Sequence, residues 1–448
     1  MDIFETRNST KSLLRSGDVS TERYQEALPL CKYLWQHYSE TNNLWDVHQY
    51  INCLKKLSMI DEAEGICKVI YERYRDTQIQ ENNAKAYKYI INLYAWIIYE
   101  KYIKEIKQPE YQFENELICK TLLLTEIIDQ GESNTPNLDF CVLQVVNKIK
   151  DKGNCDDILM ILNKLEPEKI SSEVQIYIDS NGKKREVASL KERYYQYKSD
   201  ILLRLKKFEE CIICCLEAQE SIERLHYNND VWFERKIVIA LGEMGDIDNA
   251  IEKLKNLTKK CDKWFLFYEI AKLYFKQAKY TDYLFYMLRA AVTNDPEKMK
   301  VSLIEDIGDY FIFTNEEEIG QKHFLIAKKI REENGWFVKD KLKSKINKEL
   351  EISYKELRKI WIAKLYDIAI SKEGKIIKIF PNGAGGYINS DQVYYFQYKN
   401  FFGRRDKSNV GDVVKFVLID SFDKKKNIET KEAFAITPIT SNKRIQRN

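Results

Sequence analysis

The chain has 448 residues, which exceeds the roughly 250 to 300 residues at which a single hydrophobic core stops growing. Its 44% hydrophobic and 12% aromatic content excludes global disorder, and only 16 glycines and 7 prolines favour a mostly helical protein. The net charge of +3 hides an asymmetry, because residues 337–448 carry 24 Lys+Arg against 13 Asp+Glu, a net of +11, while the other 336 residues sum to −8. This asymmetry indicates a polyanion-binding segment attached to a body with another role, although a lysine-rich composition can also simply maintain solubility.

The sequence lacks the features of a secreted or membrane-spanning protein. The first residues, MDIFETRNSTK, contain no apolar run of the kind found in signal peptides. No window approaches the roughly 18 to 20 uncharged apolar residues of a membrane span. Ten cysteines lie between Cys31 and Cys261 in no paired framework, which favours a reducing compartment. We therefore expect a soluble, cytoplasmic protein.

An internal repeat occupies the middle of the chain. Four stretches that start at residues 192, 231, 264 and 301 share one template, in which apolar residues recur every three or four positions. This spacing predicts two helices joined by a short turn in each stretch. Small residues such as Ala250 and Gly320 would let the second helix approach the first, and Gly or Asn would end the first helix.

Other segments fit the template less well. Residues 44–71 and 139–167 match it loosely, and residues 82–130 have a helical period but lie off the template. Residues 179–185 read as a turn or short hairpin inserted between helix pairs. The sequence therefore predicts an irregular helical array over residues 1–336.

The repeated pattern resembles the tetratricopeptide repeat, whose unit is about 34 residues long. This resemblance implies an irregular α-solenoid of helix-turn-helix repeats with a groove that binds a protein or an extended peptide. Candidate groove residues are polar residues of the first helices, each of which could equally be a solvated surface position: Asn52, Lys198, Arg235 and Lys272.

Residues 337–372 read as one or two basic helices that connect the array to the C-terminal segment. An apolar stripe that includes Leu357, Trp361 and Leu365 predicts a buried face. Lysines every two to four residues suit either a capping helix, which closes the solenoid with a polar outer face, or a helix that contacts phosphates.

At residue 373 the apolar period changes from 3.6 to 2. Five short runs rich in β-branched and aromatic residues come next, at 374–380, 385–389, 392–398, 412–419 and 432–439. Turn residues separate these runs, so residues 373–440 are predicted to form a small five-stranded barrel or sandwich, with a basic tail after it at 441–448.

The order of features in this segment resembles a cold-shock-type OB fold. The resemblance rests on Gly374, Ile376 and Ile379 in the first run, Gly386-Tyr387-Ile388 in the second, residues 393–396 in the third and residues 411–416 in the fourth. The chain departs from the family at Lys378, Gly385, Phe396 and Gln397, where the family has tryptophan, an aromatic residue, histidine and an aromatic residue.

The resemblance implies that three aromatic side chains stack on unpaired bases: Tyr387, Tyr394 and Phe396. It also implies that six cationic side chains meet the phosphates: Lys375, Lys378, Lys399, Arg404, Arg405 and Lys407. In the alternative arrangement Tyr394 and Phe396 fill the barrel core, and Val393 and Tyr395 face outward.

Nothing in the sequence indicates catalysis. The four histidines stand apart from any cluster at ligand spacing, and the run formed by Cys211, Cys214 and Cys215 has no second CxxC partner. The glycine-rich stretch at 383–386 does not lead into a helix, so it cannot cradle a phosphate as a P-loop does. We therefore predict no catalytic residue, no metal and no cofactor.

These observations favour a non-enzymatic adaptor. Its helical repeats would bind a protein partner, and its barrel would bind single-stranded nucleic acid, RNA in preference to DNA. The first alternative is a protein-only scaffold, or a regulatory or sensor subunit, whose barrel is a protein-docking module. The second is a nuclease that uses carboxylates, whose cleavage would require a divalent metal.

Overall fold

The structure, a computed structural model, describes residues 2–15, 20–106, 111–131, 134–347, 351–402, 409–423 and 428–439. The chain is mainly helical, an irregular α-solenoid, with a closed five-stranded mixed β-barrel near its C-terminus. This confirms the predicted fold class. The residues divide into two compact units, Met1–Lys236 and Ile237–Asn448.

The first unit contains helices and one hairpin. Its helices are α1 (Ile3–Leu14), α2 (Thr21–Gln36), α3 (Tyr38–Thr41), α4 (Leu44–Lys56), α5 (Ile60–Tyr74), α6 (Glu81–Ile98), α7 (Tyr111–Ile128), α8 (Leu138–Ile149), α9 (Cys155–Leu162), α10 (Leu190–Arg204) and α11 (Phe208–Ser221). A π-helical turn, Tyr99–Ile103, extends α6. Strands β1 (Gln175–Ile178) and β2 (Lys184–Val187) form the predicted hairpin.

Helix α12 (Asn229–Glu243) begins in the first unit and ends in the second. The second unit continues with α13 (Ile247–Lys260), α14 (Trp264–Lys276), α15 (Tyr280–Ala291), α16 (Val301–Phe313), α17 (Glu317–Glu333), α18 (Asp340–Lys345) and α19 (Tyr354–Ile368). Its strands are β3 (Ser371–Ile379), β4 (Gly385–Asn389), β5 (Val393–Gln397), β6 (Val413–Asp423) and β7 (Ile428–Pro438). Among the described residues, no helix is long and apolar enough to cross a membrane.

The predicted helix pairs are present as α4–α5, α8–α9, α10–α11, α12–α13, α14–α15 and α16–α17. In five of these pairs the two helices are joined by the same type of turn. A residue with positive φ comes after the first helix of each: Ser58, Lys206, Gly245, Ala278 and Asn315. The next residue donates its backbone N–H to a carbonyl five residues back, at 2.8–3.0 Å. This is the Schellman pattern, which satisfies carbonyls that the helix end leaves unpaired. Only two of the five positions carry the expected Gly or Asn.

Close contact within the pair α16–α17 depends on two glycines. A Cβ at Gly308 would lie 2.7 Å from the Phe324 ring, and a Cβ at Gly320 would lie 2.6 Å from Ile312. Both distances are shorter than any ordinary carbon contact, so a larger side chain would push the helices apart. The small residue predicted at the start of the second helix therefore has the expected packing role.

Helix α19 connects the helices of the second unit to the barrel. A capping box between Ser353 and Glu356 starts it. Its side chains Leu357, Trp361 and Leu365 are fully buried, and the helix contacts α15, α17 and β6. The Tyr366 hydroxyl donates to the carbonyls of the two last strands, at 3.1 Å to Lys415 and 2.5 Å to Ala435.

Several basic side chains of the connector form ion pairs or hydrogen bonds within the protein. Lys345 pairs with Asp309 at 2.5 Å, Lys364 pairs with Glu316, and Lys343 pairs with Asp340 at 3.1 Å. Arg358 donates to the Val292 carbonyl at 3.0 Å. These contacts favour the capping interpretation over a helix devoted to phosphates.

The barrel closes in the strand order β3-β4-β5-β7-β6, with β6 pairing back onto β3. The pair β5–β7 is parallel and the others are antiparallel. Its core is formed by Ile376, Ile388, Tyr394, Phe396, Tyr398, Phe401, Val414, Phe416, Ala433 and Ile436.

Candidate nucleic-acid interface

The side chains of Tyr394 and Phe396 lie inside the barrel, where they are 3% and 0% exposed. Successive residues of a strand point to opposite faces, so Val393 and Tyr395 face outward. The expectation that Tyr394 and Phe396 form an exposed stacking surface is therefore wrong. The alternative arrangement, in which they fill the core, is the one observed.

Glycines on β4 explain why this face of β5 is turned inward. A Cβ at Gly386 would lie 2.8 Å from the Phe396 ring, and a Cβ at Gly385 would lie 2.1 Å from the Phe396 carbonyl oxygen. The Phe396 ring thus occupies the space that a side chain at position 386 would need. Tyr394 stays inside because its hydroxyl reaches the barrel rim, where it accepts from Lys372 at 3.0 Å and donates to Asp391 at 3.1 Å.

Three half-buried rings form a cluster on the outside of the barrel: Phe380 directly after β3, Tyr387 on β4 and Tyr395 on β5. We call this cluster the outer aromatic patch. The centre of the Phe380 ring lies 5.4 Å from that of Tyr387 and 6.1 Å from that of Tyr395. The centres of the Tyr387 and Tyr395 rings are 6.2 Å apart. Burial raises the pKa of Tyr395 above its usual value, and Glu432 adds to the effect, so this tyrosine stays a neutral ring at physiological pH.

Of the three predicted aromatic residues, only Tyr387 belongs to this patch. Phe380 was not predicted from the sequence, and Tyr395 was placed outside only in the alternative arrangement. In the structure Tyr387 and Tyr395 fall in register on paired strands, so the two rings lie on one face and contact each other. The signal present in the sequence was the alternation of residues 393–396, which puts Tyr395 on the opposite face from Tyr394 and Phe396.

The predicted cationic residues are dispersed. Lys375 and Lys378 are exposed, and Lys378 lies directly opposite Tyr387 in the strand register. Lys399 lies elsewhere, where its ammonium group pairs with Asp262 at 2.6 Å. Residues Arg404, Arg405 and Lys407 lie outside the described part of the chain. The outer aromatic patch therefore has Lys378 as its immediate cation.

The candidate groove lysines of the helical array interact with neighbouring side chains. Lys198 donates to the Tyr194 hydroxyl at 2.9 Å, and the Lys272 ammonium lies 4.0 Å from the centre of the Tyr268 ring. A different surface of the array is apolar and accessible. The rings of Phe275, Tyr280 and Phe313 lie on it, 54%, 42% and 72% exposed.

The described residues contain no group of three or more His, Cys, Asp or Glu side chains that could hold a metal ion. Cys211, Cys214 and Cys215 are buried, as expected for packing residues. Burial raises the pKa of the Cys214 thiol to about 12, so it remains protonated at neutral pH.

Comparisons with known proteins give structural similarity only. No protein-family model matches the chain, and no curated protein matches it. Among solved structures, the chain is similar to Naa15/Naa10 bound to HypK-THB, with a TM-score of 0.39 and 11% identity over 82% of this chain and 48% of that one. The chain thus spans about half the length of that structure.

Two further solved structures have similar values. A TPR repeat-containing protein from Cytophaga hutchinsonii gives a TM-score of 0.25 and 11% identity, covering 78% of this chain and 100% of that one. A monomeric IFIT1 mutant with m7Gppp-AAAA gives a TM-score of 0.30 and 13% identity, covering 82% of this chain and 91% of that one.

Proposed function

We propose that the chain is a non-enzymatic, cytoplasmic adaptor whose barrel is an OB-type module that binds single-stranded nucleic acid, RNA in preference to DNA. The observation that carries this proposal is the outer aromatic patch, with Lys378 opposite Tyr387 in the strand register. The strand order and the parallel β5–β7 pair support an OB-type barrel. OB folds bind oligonucleotides on the face of their second and third strands, and the corresponding strands here are β4 and β5.

The chemistry of such a patch favours single strands. Every base has a flat π-face, and stacking on an aromatic ring contributes about 1 to 3 kcal/mol per base. In a duplex these faces are already covered by neighbouring bases. Lys375 and Lys378 are exposed beside β4, and ammonium groups there would attract the strand's phosphates.

Fluorescence anisotropy with labelled single-stranded RNA and DNA tests this proposal. The intact chain is required, because an isolated fragment from residue 337 would expose the buried face of α19. With Tyr387→Ala and Tyr395→Ala combined, we expect affinity to fall roughly 10- to 100-fold. The Phe313→Ala variant removes an exposed ring outside the barrel and serves as the matched control.

Binding should also weaken as salt rises, because each phosphate contact releases counterions. Absence of binding at low salt, or equal binding by the double variant and the control, would contradict the proposal. Stronger binding to DNA than to RNA would overturn only the stated preference.

The helical array would supply the protein-binding half of the adaptor. Exposed apolar surface on a folded protein often marks an interaction site, and Phe275, Tyr280 and Phe313 provide such a surface. Affinity capture with the intact chain and with a Phe275→Gln, Phe313→Gln variant would identify partners that depend on these rings. Identical partner sets would count against this surface.

A protein-docking role for the barrel is favoured by two exposed aliphatic residues, Ile377 and Val393, which are 43% and 54% exposed. Apolar docking would be insensitive to salt, whereas phosphate contacts lose affinity with ionic strength. The salt series therefore separates the two functions.

A further inference from the structure

The hairpin of β1 and β2, in the first unit, has exposed apolar side chains on both of its faces. Ile176 and Ile178 lie on one face, 64% and 66% exposed, and Tyr177 lies on the other, 52% exposed. Among the described residues, β1 and β2 form a sheet only with each other. A two-stranded hairpin is marginally stable in water, and sheets of three or more strands are more stable. A further strand at a free edge would therefore stabilise this hairpin.

The loop between α11 and α12 covers the outer edge of β2. The Tyr227 hydroxyl donates to the backbone carbonyl of Glu186. The Glu186 carboxylate pairs with Arg224 at 3.2 Å and lies 3.4 Å from the Nε2 atom of His226. The accessible edge of the hairpin is therefore β1.

The hydrogen-bond pattern of the hairpin determines which backbone groups of β1 face outward. Asp179 donates its N–H to the Lys183 carbonyl at 3.0 Å, so these two residues form a hydrogen-bonded pair. Hydrogen-bonded and non-hydrogen-bonded pairs alternate along an antiparallel ladder, which places Ile176 and Ile178 at non-hydrogen-bonded positions. The N–H and C=O groups of these two isoleucines therefore point away from β2. In the described part of the chain, no residue outside the hairpin bonds to them.

Strand β1 lacks the features that usually protect a free edge. Edge strands are commonly protected by lysine or other charged side chains, by proline or by a β-bulge. The sequence of β1, QIYI, contains no charged residue and no proline, and its register with β2 is regular over the four pairs. An unprotected edge of this kind is a template for a strand of another chain.

We propose that β1 pairs antiparallel with β1 of a second copy of this chain, across a two-fold axis beside Tyr177. The two hairpins then form a four-stranded sheet in the order β2-β1-β1-β2, in which Ile176 of one copy lies opposite Ile178 of the other. Four hydrogen bonds between the copies satisfy all the outward N–H and C=O groups of these isoleucines. The four isoleucines meet on one face of the sheet, and the two Tyr177 rings meet on the other.

The composition of β1 favours a second copy as the source of the added strand. An edge with apolar side chains at alternate positions accepts a strand with the same alternation, and β1 itself has that alternation. The symmetric pairing also brings no like charges together. Asp179 of one copy lies opposite Gln175 of the other, so the nearest carboxylate meets a neutral residue.

The paired strands are short, so the dimer should be weak and reversible. Stable interfaces bury about 1,200 to 2,000 Å², and two four-residue strands bury much less. We expect a dissociation constant on the order of 10 to 100 μM. The interface involves the first unit only, and it does not rest on the proposed function.

Sedimentation velocity of the intact chain with a reductant present, over about 1 to 300 μM to bracket that constant, tests the proposal. We expect the sedimentation coefficient to rise with concentration toward the value of a dimer. Ile178→Pro should abolish the rise, because proline removes an outward N–H without removing a hydrogen bond between β1 and β2. Ile176→Lys should weaken the dimer roughly 10-fold or more, because it places a charge on the edge.

Ile213→Lys is the matched control, because Ile213 is 56% exposed on α11 and lies outside the hairpin. It should dimerise as the unchanged chain does. Circular dichroism and thermal unfolding of all three variants establish that they fold.

Cysteine cross-linking tests the position of the two-fold axis. In the proposed register the two copies of residue 177 are directly opposite at a non-hydrogen-bonded position, with Cα atoms about 4.5 Å apart, a distance that a disulfide can bridge. Tyr177→Cys should therefore give a disulfide-linked dimer on mild oxidation. The double variant Tyr177→Cys, Ile178→Pro has the same cysteines and should not.

Three results would overturn the proposal. The first is a sedimentation coefficient that stays at the monomer value over the whole concentration range. The second is a dimer that Ile178→Pro leaves intact, and the third is equal cross-linking of the two cysteine variants.

Discussion

His323 is a buried histidine whose two ring nitrogens both have partners. Its Nδ1 lies 2.7 Å from the Ile319 carbonyl oxygen, and its Nε2 accepts from the Trp361 indole N–H at 2.8 Å. These partners require a proton on Nδ1 and a lone pair on Nε2, which is the neutral tautomer. Burial lowers the pKa of His323 to about 4. Acid should therefore act on the contact between α17 and α19.

We expect this histidine to make folding sensitive to mild acid. Between its unfolded pKa of about 6.5 and its folded pKa of about 4, only the unfolded chain binds the proton, so stability falls as pH falls. The loss between pH 7 and pH 5 should be about 2 kcal/mol. His323→Gln can keep both hydrogen bonds but cannot titrate, and it should lose about 2 kcal/mol less.

Urea unfolding of both proteins at pH 7 and pH 5 measures the difference. His48, which also has a lowered pKa of about 4, is present in both proteins and cancels in the comparison. Equal loss of stability in the two proteins would contradict the role given to His323.

The sequence alone does not predict which face of β5 points into the barrel. Alternation in residues 393–396 divides the side chains into two sets but does not say which set is internal. The deciding contact joins Gly386 to Phe396 across two strands, and no local pattern reports it. The sequence therefore shows that Tyr394 and Phe396 share one face, but it does not show that this face is the interior of the barrel.

The Schellman turns offer a test at the scale of one element. Ala278 has φ +56 and is exposed, whereas Gly245 has φ +96 at the same place in the preceding pair. A Cβ disfavours positive φ. Ala278→Gly should therefore stabilise the protein by about 0.5 to 1 kcal/mol, and Gly245→Ala should destabilise it by a similar amount.

No atom lies within 4 Å of a Cβ built at Gly245, so backbone strain is the only expected cause there. Thermal unfolding of both variants measures the two opposite shifts. Shifts of the same sign would show that the turn conformation does not control the stability of these pairs.

Helices and strands were predicted well because their signal is local. The period of 3.6 placed the helix pairs, and the period of 2 placed β3 to β7 to within a few residues. The turn residues were predicted less well. The fixed Schellman hydrogen bonds hold Ser58, Lys206 and Ala278 at positive φ, so position within the turn outweighed residue preference.

For the whole molecule, α19 should behave as a structural cap. We expect a chain that ends at residue 370 to be more stable than one that ends at residue 336, by several kcal/mol, because Leu357, Trp361 and Leu365 are fully buried. Thermal unfolding and dye binding to exposed apolar surface compare the two chains. Neither contains the barrel, so an equal melting temperature would mean that α19 packs only when the barrel is present.

The placement of α19 could not be predicted from the sequence. Its apolar stripe was visible, but its partners are distant in the chain, as in the contact of Trp361 with His323 and of Tyr366 with Ala435. A small cavity beside Arg289 in the second unit has the same origin, since its lining combines residues 262–295 with residues 399–434. Contacts and cavities formed by such distant segments cannot be predicted from local sequence patterns.

The packing of α19 against α15, α17 and β6 also bears on selectivity for ligand length. A flexible tether would let the barrel meet the array at many separations, and ligands of many lengths could then bridge them. Here the contacts of α19 with the helices and with β6 restrict the separation between the outer aromatic patch and α14–α17. A bridging ligand of matching span would meet its second site at a high effective concentration, and one too short to reach would gain nothing from it.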